Sequence, residues 1–98
     1  MSIDERIKSQ FVDDLCDGIL LLKNRDECYQ FFEDVCTVGE IKAIAQRFAV
    51  AKKLDAGEIY TDIVKETGAS TATISRVKRC LNFGADGYKL VIERLKNK

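Results

Sequence analysis

Apolar residues recur near the start of the chain at intervals of four and three: Ile3, Ile7, Phe11, Leu15, Ile19 and Leu22. That spacing is one face of an α-helix and predicts a single helix from Ile3 to Leu22, about 30 Å long, opened by an S-x-x-E capping box of Ser2 and Glu5. Val12, Cys16 and Leu20 widen the apolar stripe beyond what one isolated helix can cover, so a partner chain is its economical cover. Asn24 with Glu27 forms a second box. It opens a helix carrying Cys28, Phe31, Phe32 and Val35, in which the adjacent phenylalanines point about 100° apart toward different neighbours. Thr37 with Glu40 forms a third box, followed by a helix with Ile41, Ile44, Ala45, Phe48, Ala51 and Leu54 that ends near Gly57.

From Gly57 to Gly84 the pattern changes to two short helices. Thr61 is expected to cap the first, which has Ile63 and Val64 on its apolar side, and Gly68 to end it. A three-residue turn follows, and Ser70 caps the second helix. Ile74, Val77 and Leu81 fall on one side of that helix and must face the protein; Ala72, Ser75, Arg76 and Arg79 fall on the other. This is the pattern of a helix-turn-helix. Gly84 and Gly87 then bracket a break, and Asp86 is expected to cap a last helix with Tyr88, Val91, Ile92 and Leu95 inward. With no proline and no extended alternating pattern, the chain reads as all-α with about six helices. One domain over 1–98 is expected, divided into dimerisation helices over 1–56, the helix-turn-helix over 57–84 and a C-terminal helix over 85–98.

Charge sharpens this picture. Sixteen bases balance sixteen acids overall, yet Met1–Glu40 carries four bases and ten acids, whereas Ile41–Lys98 carries twelve bases and six acids. Between Ser70 and Phe83 there is no acid at all, while Arg76, Lys78 and Arg79 are basic. An electropositive edge of this kind suits a polyanion. Small residues at the helix start (Ser70, Thr71, Ala72, Thr73 and Ser75) let the backbone approach a DNA major groove, and the three bases would meet phosphates. The plainer reading is an exposed helix with three ordinary surface cations.

Other chemistries find little support. The chain has no histidine, and Cys16, Cys28, Cys36 and Cys80 show no C-x-x-C spacing, so reduced thiols and no metal site are expected. The acid pairs Asp13–Asp14 and Glu33–Asp34 are adjacent on helices and diverge, as solvated faces do, so no catalytic residue is assigned and the chain is not read as an enzyme. No apolar run approaches the roughly 20 residues that cross a bilayer, and the acidic start is unlike a signal peptide; a cytoplasmic protein without membrane contact is expected.

The runs L-D-A-G-E-I from Leu54 and E-T-G-A-S-T-A-T-I-S-R from Glu66 to Arg76 resemble the DNA-reading part of the Trp repressor superfamily, and nearly the whole chain resembles its TrpR-like YerC/YecD branch. The resemblance implies an intertwined homodimer that reads palindromic double-stranded DNA, with half-sites one helical turn apart. It further implies an amino-acid corepressor held between two arginines, whose matching positions are Arg47 and Arg76, with Thr73, Val77 and Cys80 beside them. Where the family carries a glycine and a serine for tryptophan, this chain has Val77 and Cys80. The added valine volume costs about 1–3 kcal/mol in a filled site, and a thiol bonds more weakly than a hydroxyl. A smaller corepressor than tryptophan is therefore expected, histidine being a candidate. Thr61 and Val64 replace basic residues of the family, so the operator should differ too. The expected function is a sequence-specific transcriptional regulator of repressor type; the alternatives are a ligand-independent DNA-binding regulator and a helical protein-interaction adaptor.

Overall fold

A computed structural model describes residues 3–98. A 3₁₀ turn at Glu5–Ile7 precedes six α-helices: α1 Gln10–Ile19, α2 Arg25–Val35, α3 Val38–Asp55, α4 Tyr60–Thr67, α5 Thr71–Phe83 and α6 Gly87–Lys96. No strand occurs among the described residues. The chain packs as two compact units, one ending at Ile41 and one spanning Lys42–Lys98.

In the first unit the apolar stripe does not make one helix. Lys8 leaves helical geometry, and Ser9 is extended, with its hydroxyl accepting from the Val12 N–H at 3.1 Å. A serine side chain offers the backbone a bond that competes with helix continuation, so the helix restarts at Gln10. Ser2 of the expected first capping box lies outside the described residues. Asp4 instead takes the capping role, accepting from the Arg6 backbone and guanidinium, and that bonding holds the Asp4 carboxyl below its ordinary range.

The other two boxes form. Asn24 accepts from the Glu27 N–H at 2.9 Å, while the Glu27 carboxylate reaches back to the Lys23 N–H, one residue earlier than the standard box. Thr37 and Glu40 bond reciprocally, at 3.1 and 2.8 Å. Phe31 and Phe32, adjacent on α2, also meet each other edge to face, with ring centroids 6.0 Å apart.

The Thr37 backbone N–H, and then its hydroxyl, hold the Glu40 carboxyl below the usual carboxylate range. A depressed value contributes stability above the unfolded-state pKa and loses it as the pH falls through the folded one. Wild type is therefore expected to melt above Glu40→Gln at neutral pH, with the gap closing on acidification past the ordinary glutamate range. Parallel thermal melts from neutral to acid pH check this; a gap that stays constant would detach the charge from the cap.

The second unit holds the core. Val50 and Ala51 of α3, Ile63 of α4, Ala69 of the following turn, Ile74, Val77 and Leu81 of α5, and Ile92 of α6 are buried together. On α6 only Ile92 is buried and Tyr88 partly so; Val91 and Leu95, expected inward, are exposed. Helix α3 closes at Gly57 (φ 84°), where the Glu58 N–H bonds the Lys53 carbonyl and the Gly57 N–H bonds that of Leu54. This paired closure is a Schellman motif, which needs the left-handed residue that glycine supplies. It leaves only Glu58 and Ile59 before α4, so α4 starts at Tyr60, and Thr61 is not its cap. Ile59 occupies that position without a side-chain bond.

Ion pairs brace these joints. Lys53 bonds Glu66 and lies 3.7 Å from Glu58, so the Lys53 ammonium is raised, chiefly by Glu66, and the Glu66 carboxyl lowered by Lys53. Lys96 donates to Asp55 at 2.6 Å, joining the end of α6 to the end of α3. Between α5 and α6 the chain turns at Gly84, where a Cβ would collide with the Cys80 carbonyl oxygen. Asp86 stands at the start of α6 in left-handed geometry (φ 65°) rather than the extended backbone of an N-cap, and its side chain makes no cap bond, contrary to expectation.

Candidate nucleic-acid interface

The α4–α5 pair is organised by its turn. Gly68 adopts φ 73°, and its N–H closes α4 onto the Val64 carbonyl at 2.9 Å. The Thr67 hydroxyl donates to the Ile63 carbonyl at 2.7 Å and accepts from the Ala69 N–H at 3.1 Å. From α3, Gln46 Nε2 donates to the Thr67 carbonyl at 3.2 Å. Ala69, buried in the core, anchors the middle of the turn. The Ser70 hydroxyl then accepts from the Thr73 N–H at 3.1 Å, starting α5 as the sequence predicts.

Helix α5 divides as its apolar spacing requires. Ile74, Val77 and Leu81 enter the core, and Thr71, Ala72, Ser75, Arg76 and Arg79 are exposed on the far side. No ion pair among the described residues engages Arg76, Lys78 or Arg79. With no acid in the helix, both arginines present their charge to solvent. Lys78 is turned to a flank: its Nζ lies 5.6 Å from the Tyr60 ring centroid, a cation–π contact with α4. Sequence reasoning overlooked Phe83, which is 86% exposed. It follows Arg79 by four positions and Arg76 by seven, so the helical period already put it on the arginine strip.

The expected ligand residues are dispersed by burial. Arg47 and Thr73 are half-buried, Arg76 is exposed, and Val77 is 1% exposed within the core. Cys80 lines an open apolar groove of about 360 Å³ with Phe48, Gly84, Tyr88 and Val91, a lining that includes neither arginine. Among the described residues no ion pair engages Arg47; Glu40 bonds Thr37 and Asp55 pairs with Lys96. All four cysteines are free.

Among the described residues, six α-helices without strands, with a short α4 joined to a basic α5 by a tight glycine turn, define an all-α protein of the TrpR-like class. The profile of the Trp repressor protein family matches residues 10–96, and the chain belongs to that family, whose members are DNA-binding regulators. It is 52% identical over 96 residues to YerC of Bacillus subtilis, an uncharacterized protein, covering 98% of this chain and 91% of YerC. The crystal structure of a Trp repressor candidate from Staphylococcus aureus superposes with a TM-score of 0.92 at 49% identity, over 99% of this chain and 98% of that one. A TrpR-like protein from Eubacterium eligens gives 0.91 at 56% identity, over 95% and 96% of the two chains. Among the described residues no helix is long and apolar enough to cross a membrane.

Proposed function

We propose that this protein is a sequence-specific transcriptional regulator of repressor type, working as a homodimer on a palindromic operator, with α4 and α5 as its helix-turn-helix. The observation that carries the reading is the outer face of α5: exposed, free of acids, and formed of small residues followed by unpaired arginines. Thr71, Ala72, Thr73 and Ser75 would meet base edges beside the Ser70 cap, and Arg76 and Arg79 phosphates. Support for the second copy comes from the unit ending at Ile41, in which no described residue is buried. Its free apolar side chains require a cover, and a symmetric copy supplies one.

The regulator is further proposed to answer to a small amino acid whose carboxylate meets Arg47 and Arg76, histidine being a candidate, with Thr73 and Cys80 at its edge. Val77 in place of the family's glycine favours a smaller ligand than tryptophan; the burial of Val77 in the core and the absence of both arginines from the Cys80 groove favour a ligand-independent regulator as the second reading. Selection of genomic DNA fragments by the purified protein, with and without a mixture of free amino acids, separates the two. A palindrome enriched only with the mixture supports the corepressor, enrichment in both arms supports the second reading, and no enrichment in either arm defeats both.

Arg79→Ala is expected to weaken binding to all duplexes alike and to flatten the log–log salt dependence by about 0.9 per lost phosphate contact. Affinity measured on two unrelated duplexes across a salt series checks this. An unchanged slope would remove Arg79 from the phosphate contacts.

A further inference from the structure

A cleft of about 540 Å³ opens on the Lys78 flank of α5, bounded by the α3–α4 link and by α6. Leu54 and Leu81 give it an apolar floor, and Lys78, Asn82 and Lys89 stand around it. Two carboxylates line it as well: Asp55 accepts from Lys96 at 2.6 Å, while Glu58, 3.7 Å from Lys53, shares that ammonium with the closer Glu66. Among the described residues neither Lys78 nor Lys89 pairs with an acid. The cleft therefore carries two unpaired cations, partly offset by Glu58, and one of them lies over the Tyr60 ring.

Neutral donors complete the set. The Asn82 amide and the Tyr60 phenol both line the cleft. Ile59, another wall residue, starts α4 without a side-chain cap, so the N–H groups of that first turn have neither a side-chain nor an intrahelical acceptor. Two cations with several donors match a group of multiple charge and several oxygens, which a phosphate provides better than a carboxylate.

We propose that this cleft binds a phosphate group through Lys78 and Lys89. At about 100° per residue Lys78 lies roughly 160° around α5 from both Arg76 and Cys80, so it is separate from the amino-acid position described above. The phosphate can belong to a free phosphorylated small molecule or to a DNA backbone. In the first case the cleft fills independently of DNA; in the second it is itself part of the DNA footprint.

Inorganic phosphate titrated into the full chain, against sodium chloride at matched ionic strength, tests the site by amide NMR. Saturable shifts are expected at Tyr60, Lys78, Asn82 and Lys89. Binding should weaken about tenfold or more in Lys78→Gln/Lys89→Gln, recover in Lys78→Arg/Lys89→Arg, and stay unchanged in Arg94→Gln. A short mixed-sequence duplex added to the phosphate-loaded protein then separates the sources: displacement of phosphate from these resonances assigns a backbone phosphate, and undisturbed phosphate shifts assign a free ligand. Non-saturating shifts, or wild-type phosphate affinity in the double glutamine variant, would overturn the site. The phosphate titration contains no DNA, so its outcome is independent of whether the protein proves to be a regulator.

Discussion

Replacing Phe11 and Leu15 together by aspartate is expected to convert the protein to a monomer with greatly reduced stability and DNA affinity. Both residues lie on the α1 stripe, Phe11 being 88% exposed in the single chain. Burying a large apolar side chain stabilises by about 1.5–3 kcal/mol, and a symmetric contact uses each residue twice, so the double substitution removes roughly 6–12 kcal/mol before the cost of enclosing new charges is added. On the proposed palindromic operator a monomer also loses the coupling between two half-sites, worth about a hundredfold or more in affinity. Sedimentation at micromolar concentration, with melts at two protein concentrations, reads the outcome. A dimer-sized variant with an unchanged melting temperature would show that something other than a second copy covers the stripe.

The second large effect is expected at Ile74, on the inner face of α5. It has no solvent exposure and shares the core with Ile63 of α4 and Ile92 of α6. Truncating such a side chain to alanine costs about 2–5 kcal/mol, because a cavity adds to the lost transfer energy. In a chain of this size that is a melting temperature lower by roughly 10–25 °C. Thr71→Ala, one turn earlier and exposed, should change stability by no more than about 0.5 kcal/mol. Equal losses from the two substitutions would mean that the helix is rotated relative to the face assigned to it.

Much of this architecture was legible in the sequence because its signals are local. The Thr37–Glu40 box, the Gly68 and Gly57 stops, the Ser70 cap and the Ile74–Val77–Leu81 spacing each depend on a few neighbouring residues, and each is found where it was expected. The misses occur where two local signals compete. The four-residue spacing of Ile3, Ile7, Phe11 and Leu15 asks for one helix, but Ser9 offers a cap inside it, and the cap prevails. Thr61 is a sound cap by residue type, yet the closure at Gly57 forces α4 to begin before it. Asp86 suits a helix start, but the turn after Gly84 sets its backbone left-handed. For the reading face, the small residues and arginines were visible, whereas the turning of Lys78 toward Tyr60 depends on a ring from another helix and could not be read from α5 alone. Likewise the arginines of the resemblance carry no burial with them, so their absence from the Cys80 groove emerged only from packing.

The locked turn at Gly68–Ser70 also sets an angular tolerance. Helix α5 has 13 residues, so it is about 20 Å long. A pivot of roughly 10° at its start would carry the Phe83 end through some 3.4 Å, about the rise of one base pair. Ala69 in the core, Thr67 bonded in both directions and Gln46 reaching over from α3 resist that pivot together. Aim, rather than the choice of contacting side chains, is then the quantity most exposed to drift when the turn is altered; in the proposed regulator a loosened turn would blur discrimination between operators while leaving overall affinity for DNA nearly intact.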